Sequence, residues 1–364
     1  MLFIDKYRPT TLDKLDYQKD MAQRLERMLD SSDFPHLLFY GPFGAGKKTR
    51  VSAVLRHVFG PSVDKLKVEN RAIPKPGSSG TVDITTISSP HHIELTPSDV
   101  GTQDRLVVME LIKEIASSRP LEITRAMGGG PQEGEGRGRF KVVVLNEVDH
   151  LTRAAQHALR RTMERYMSTC RLILCCQSTS KLIDPLKSRC LCIRVAAPTN
   201  DEILAILNDV AHKERMVLPP RLATRIVEAG QRNLRRSLLM LEACRVAKYP
   251  LEPDQEITTP DWERFLVDTA RGVVEEQSAQ KLLVTRKRLY ELLVNCIPPE
   301  VIFQRLANEL LRKCDSELRA EVAHWAAFFE HRLQQGTKPI VHLEAFLAKF
   351  MAIYKRYSQR MTLA

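Results

Sequence analysis

One short stretch, Gly41-Pro42-Phe43-Gly44-Ala45-Gly46-Lys47-Lys48-Thr49, limits what this chain can fold into more than any other. It satisfies the pattern G-x-x-x-x-G-K directly after the apolar run His36–Tyr40. The residues that follow, Lys47–Phe59, carry a helical pattern. In a strand–loop–helix context the glycines let the backbone wrap closely around phosphates, and the free amides at the helix start point at the anion. Lys47 then reaches the outer phosphates. A buried strand feeding such a loop belongs in a parallel, helix-covered sheet.

The rest of the first half supplies that sheet. Apolar runs at His92–Leu95, Lys141–Leu145, 171–176 and 190–195 bring the predicted strands to five. Helical patterns at 103–118 and 152–166 alternate with them. Alternation of this kind implies right-handed crossovers and a parallel five-stranded sheet covered on both faces. After Ala197-Pro198 the strand signals stop. Everything from Asn200 onward reads as helix, interrupted near Pro219-Pro220, Tyr249-Pro250 and Pro298-Pro299. The expected division is a nucleotide-binding α/β module at 1–197, a small helical segment at 198–250 and an all-α domain at 255–364. Two stretches, 74–80 and 128–138, are rich in Gly, Pro and Ser or Glu, and read as mobile surface loops.

Two positions of the phosphate site are unusual. After the loop lysine a Ser or Thr hydroxyl ordinarily ligates Mg²⁺, but here the residue is Lys48. A second lysine at a helix N-terminus opposes the helix dipole and needs an anion to neutralise it. Thr49 comes one residue late and is expected to point elsewhere. The other half of such a site is an acidic pair ending an apolar strand. Here Val142-Val143-Val144-Leu145 runs into Asn146-Glu147-Val148-Asp149, so Asn146 replaces the metal-binding acid while Glu147 keeps the place of the vestigial base. With both metal-holding positions changed, hydrolysis should suffer far more than binding. The expectation is ATP or ADP held without Mg²⁺, with no metal ligand set.

Charge and cysteine usage narrow the partners. The 364 residues carry a net charge of +11, which favours a polyanion. Nine basic residues against two acidic ones between 151 and 194 put +7 of that charge in one stretch: Arg153, Arg160, Arg161, Arg165, Arg171, Lys181, Lys187, Arg189 and Arg194, opposed by Glu164 and Asp184. This reads either as sequence-independent contact with nucleic-acid phosphates or as contact with acidic surfaces of neighbouring subunits. The stretch has one Tyr and no Phe or Trp, and that residue, Tyr166, belongs to the apolar stripe of the 152–166 helix, so base stacking is not indicated. None of the eight cysteines forms a C-x-x-C pair, and reduced, buried thiols are expected. The start, Met1-Leu2-Phe3-Ile4-Asp5-Lys6, is charged too early for a signal-peptide core, and no run approaches the ~18–20 apolar residues of a membrane span. In the C-terminal third, 300–312 and 317–333 are amphipathic and 343–354 is apolar around most of its circumference. Trp325 to Phe329 would expose aromatic surface unless covered, and no catalytic constellation is visible there.

Several motifs then occur in a telling order: Asp5-Lys6-Tyr7-Arg8-Pro9, the loop at Gly41, the box at Asn146, Ala155 to Glu164, Ser188-Arg189-Cys190, Asn233-Leu234-Arg235-Arg236 and Cys296-Ile297-Pro298-Pro299-Glu300. Together they resemble the small subunits of eukaryotic replication factor C, the sliding-clamp loader, and among them the kind with a degenerate nucleotide site. The resemblance covers essentially the whole chain. It implies an AAA+ P-loop module, a helical lid and a helical collar that assembles a hetero-pentamer with other replication factor C subunits. It also implies a nuclear role in DNA replication and repair, in which ATP drives loading of the clamp, PCNA, onto primer–template DNA.

Carried over to this sequence, Tyr7, Arg8 and Pro9 would lie near adenine and ribose. Gly41, Gly44, Ala45, Gly46, Lys47, Lys48 and Thr49 would cradle phosphate, and Arg235 would sense the outer phosphate from the lid. Arg189 would be an arginine finger acting in trans, although spacing alone reads Ser188-Arg189-Cys190 equally well as a surface turn. Gln177 stands where the family has an Asn that senses the γ-phosphate. Arg153, Arg160, Arg161 and Arg165 remain candidates for DNA or subunit contact. Two other functions stay open: an independently active DNA-dependent ATPase motor, which needs the metal ligands that Lys48 and Asn146 do not supply, and a scaffold that holds no nucleotide.

Overall fold

A computed structural model describes residues 1–29, 35–75, 80–117, 140–167 and 169–363. The chain divides into two compact units, Met1–Ile257 and Thr258–Ala364.

In the first unit every predicted run forms a strand: β1 His36–Tyr40, β4 His92–Leu95, β5 Lys141–Leu145, β6 Cys170–Cys176 and β7 Cys190–Arg194. Their order is β4-β5-β6-β1-β7 with all neighbours parallel. Alternate residues of each strand face opposite sides. Leu37, Phe39, Val142, Val144, Ile173 and Cys175 pack with Val51, Val54 and Leu55 of the Lys47–Phe59 helix. Leu38, Val143, Leu145, Leu172 and Leu174 pack on the other face with Val107 and Val108 of the Asp104–Ser117 helix and with Leu159 and Met163 of the Arg153–Arg165 helix. Burial on both faces explains why these strands read as uninterrupted apolar runs.

The sheet is larger than five strands. Two more, β2 Lys67–Pro74 and β3 Thr81–Ser88, extend it to seven in the order β2-β3-β4-β5-β6-β1-β7, and both join antiparallel. The sheet is therefore mixed. Neither strand carries a continuous apolar run, because β2 buries only Ile73 and β3 buries Val82, Ile84 and Thr86 in alternation. Pro74, expected in a loop, pairs with Thr81 at the end of that hairpin, and Lys75 N–H donates to the Gly80 carbonyl. The remainder of that loop, 76–79, and the whole of 128–138 lie outside the described residues.

Three helices complete the unit: Asn200–Lys213, Pro220–Gly230 and Leu234–Ala247. Thr199 and Glu202 close a reciprocal capping box on the first, and Asn233 caps the last by accepting from Arg236 N–H. Their shared core includes Ile203, Leu207, Ile226 and Leu241 and takes in Phe3 and Tyr17 from the N-terminal segment.

The second unit is all helix: Asp261–Glu275, Ala279–Val294, Pro299–Arg312, Ser316–Gln335 and Pro339–Leu363. Leu266, Phe303, Leu306, Phe346 and Phe350 are at its centre. Trp325 and Phe329 are partly buried against this core, Phe328 remains partly exposed, and Lys349 and Arg332 lie over the Trp325 and Phe328 rings. Among the described residues no helix is long and apolar enough to cross a membrane. All eight cysteines are free; five are buried, as expected, while Cys190 is half-buried and Cys192 and Cys296 are exposed.

Candidate functional site

The C-terminal ends of β1, β5 and β6 place three segments side by side: the loop after Tyr40, the box after Leu145 and Gln177 after Cys176. Together with the N-terminal residues 3–17 and the Asn200–Lys213 and Leu234–Ala247 helices they enclose a cavity of about 790 Å³. This is the place where parallel α/β sheets bind ligands. Tyr7, Arg8, Pro9, Gly44, Ala45, Gly46, Lys47, Lys48, Thr49, Glu147, Gln177 and Arg235 all line it. Gly41 does not; its carbonyl accepts from Lys47 instead. Thr49, expected to point elsewhere, lines the cavity and accepts from Arg8 Nε at 3.2 Å. Arg153, Arg160, Arg161, Arg165 and Arg189 lie outside it.

The loop is built to stay open to an anion. Gly44 and Gly46 adopt φ of +71° and +70°, a region L side chains rarely enter. A Cβ on Gly44 would lie 1.8 Å from Asn233 Oδ1, so the cap of the Leu234–Ala247 helix rests directly on the phosphate loop. Lys47 Nζ donates to the carbonyls of Gly41 and Pro42 at 2.6 and 2.9 Å, which holds the ammonium at the loop mouth. Burial pushes its pKa below the ordinary lysine value; Arg235 acts in the same sense and Asp149 against it. Behind the loop Arg50 is fully buried. It donates to Tyr17 Oη at 3.1 Å, to Ala45 O at 3.1 Å, to Tyr17 O at 3.2 Å and to Gln18 Oε1 at 3.2 Å, and stacks on the Tyr17 ring.

The N-terminal segment is anchored to the helices opposite. Glu214 accepts from Lys6 Nζ, Tyr7 Oη and Arg245 Nη1, and these bonds hold its carboxyl at about 2. Phe3 N–H donates to Glu242 at 3.1 Å. Tyr7 is thereby fixed against these helices, while Arg8 reaches Thr49 beside the loop lysines.

The two unusual positions turn out to be joined. Lys48 Nζ lies 2.8 Å from Glu94 Oε1, and Asn146 Nδ2 donates to the same oxygen at 2.7 Å. Glu94 sits on β4, beside Val144 of β5. Burial pushes its carboxyl up, but Lys48, Asn146 and His92 together pull it down, and the net shift is below the ordinary value. Asn146 and Asp149 are buried, each with one side-chain oxygen lacking a partner among the described residues. The other Asp149 oxygen accepts from Gln177 N–H. Glu147 is exposed, with φ +52°.

Mg²⁺ in such a site is ordinarily held by a hydroxyl after the loop lysine and a carboxylate at the strand end. Here an ammonium without a lone pair occupies the first position, and the amide at the second donates its N–H to Glu94. Among the described residues no cluster of three or more His, Cys, Asp or Glu side chains could hold a metal ion. The residues present do not fit the ion.

Outside the cavity, Arg153, Arg161 and Arg165 are exposed on the Arg153–Arg165 helix, and Arg160 is half-buried. Arg171 was expected on this basic surface, but it is buried in β6 and stacks on Phe140, so it adds nothing to the exposed charge. Gln156, also on that helix, is buried and bonds to Leu151 O, Lys181 O and Ile183 N. Sequence reasoning missed Glu94, Asp149, Tyr17 and Arg50 as parts of the site. Glu94 did carry a signal, an acid inside an apolar strand.

Comparison with known proteins gives concordant matches. The family described as "Replication factor C subunit 3, C-terminal domain" matches residues 262–358. "RCF1/5-like, AAA+ ATPase lid domain" matches 205–246, and "DNA polymerase III, delta subunit" matches 17–199. Replication factor C subunit 3 of Bos taurus is 53% identical over 98% of this chain and 97% of its own length. Its counterpart in Arabidopsis thaliana is 52% identical over 98% of each. Replication factor C subunit 5 of Oryza sativa is 48% identical, again over 98% of each.

Proposed function

The chain belongs to the replication factor C family, and on that premise we propose that, as a clamp-loader subunit, it holds ATP or ADP without cutting it and lends Arg189 to an adjoining subunit's nucleotide. The observation that carries this reading is the pair of bonds from Lys48 and Asn146 to Glu94. They commit both metal-holding positions to another partner. The glycine cradle, Lys47 and Arg235 remain available to a phosphate tail. Such a site keeps affinity and loses the charge neutralisation on which phosphoryl transfer depends.

Within this reading residues 1–197 form the nucleotide-binding module, 198–250 the lid and 255–364 the collar through which the hetero-pentamer assembles. Tyr7, Arg8 and Pro9 face the base and ribose. Glu147, exposed at the cavity wall, is a relic of the catalytic base. Arg153, Arg160, Arg161 and Arg165 supply sequence-independent contact with primer–template DNA or a neighbouring subunit, and the assembly acts on the sliding clamp, PCNA, in the nucleus.

The test is to purify the full chain gently and identify what it retains. Close to one equivalent of ATP or ADP per chain supports the proposal. A nucleotide-free chain that also fails to bind added ATP or ADP returns the scaffold reading.

A further inference from the structure

We propose that Lys48 is a built-in counter-cation that takes the place of the divalent ion, with Glu94 as its carboxylate anchor. The inference rests on the nucleotide-holding reading above and says how that site neutralises phosphate charge.

Lys48, from the loop, and Asn146, from the end of β5, both line the cavity. Both bond to one atom, Glu94 Oε1, at 2.8 and 2.7 Å. A metal site at this point is a cation held by a carboxylate and presented to phosphate. The same arrangement exists here with an ammonium as the cation. Lys48 stays half-exposed, so its remaining N–H groups are free to reach a bound phosphate, while Glu94 is mostly covered. Asn146 gives that same Glu94 oxygen a neutral second donor; an aspartate there would set two carboxylates against one ammonium. The substitutions at 48 and 146 are thus mutually consistent, and Glu94 explains why they occur together. A monovalent ammonium fixed to the protein cannot bridge and shift with the transferring phosphoryl group, so it supports binding and not cleavage.

The experiment titrates ADP onto the full wild-type chain and onto Lys48→Thr by calorimetry, each with Mg²⁺ and with excess chelator. The wild type should bind ADP with an affinity that changes less than about twofold on chelation. Lys48→Thr, which removes a charged hydrogen bond to phosphate, should lose about tenfold or more in chelator. It should regain most of that loss when Mg²⁺ is added, because the Glu94 carboxylate is then released from the ammonium and the introduced hydroxyl can ligate the ion. Collapse of wild-type affinity in chelator overturns the inference while leaving nucleotide binding intact, as does undiminished affinity of Lys48→Thr without metal. Absence of ADP and ATP binding in either buffer overturns both readings. The wild-type comparison decides even where the variant fails to fold.

Discussion

Arg189 is tied to Glu164. Its Nη2 makes an ion pair with Glu164 Oε1 on the Arg153–Arg165 helix, and its Nη1 donates to Pro185 O at 2.8 Å. The guanidinium is thus held on the surface by two elements, far in sequence from the chain's own phosphate loop. A finger supplied in trans can contribute roughly 10³–10⁵ in rate. Arg189→Ala should therefore lower ATP turnover of the assembled complex by orders of magnitude and leave this chain's nucleotide affinity unchanged. Steady-state ATPase and nucleotide titration, run in parallel, check it; unchanged turnover removes the finger.

Arg50 and Tyr17 form the support behind the phosphate loop. Arg50→Met would leave the Tyr17 carbonyl and Gln18 Oε1 without their guanidinium donor, and Ala45 O with Tyr17 Oη as its remaining side-chain donor. The expected cost is about 2–4 kcal/mol of stability, read as a lower urea midpoint, together with weaker nucleotide binding because the guanidinium no longer braces Ala45 alongside Tyr17 Oη.

The cap at Asn233 and the glycine beneath it should behave as one unit. Asn233→Ala removes the bond to Arg236 N–H and should cost about 1 kcal/mol. Gly44→Ala places a methyl against the Asn233 side chain at a strained φ. It should weaken nucleotide binding, and weaken it less when combined with Asn233→Ala. Additive losses in that double-variant cycle would count against the contact.

His36 gives the fold an acid-side dependence. Burial, reinforced by Arg171, lowers its pKa from 6.5 to about 4, and its Nδ1 accepts from Leu172 N–H. The folded state therefore binds this proton less readily than the unfolded chain. The associated stability is fully present above pH 6.5 and is lost as pH falls towards 4, to a limit of about 3 kcal/mol. His92, also lowered by burial, acts in the same direction. His36→Gln should flatten the decline in denaturation midpoint over that interval; an unaltered slope would contradict the assignment.

What could be read from the sequence follows from where each signal is stored. The five parallel strands are continuous apolar runs and the loop at Gly41 is a contiguous motif, so both were legible. The β2–β3 hairpin was not read, although Val82, Ile84 and Thr86 alternate as a half-buried strand should. Arg171 looked like one more surface charge because its stacking partner, Phe140, comes from a separate stretch of chain. Glu94 is the instructive case. Its acid is visible, but its meaning arises only because β4 lies beside β5 in the sheet and faces the start of the Lys47–Phe59 helix. Arg50 with Tyr17 is likewise a pairing across 33 residues. Local patterns hold elements, whereas the anchors of the site are relations between elements.

Turnover by the solitary chain is the sharpest measurement. With saturating ATP and Mg²⁺, the full-length protein alone should bind one nucleotide and release phosphate no faster than the buffer blank. Release of phosphate at a rate ordinary for this fold, abolished by Lys47→Ala, would mean that the polypeptide assembles a competent metal site of its own.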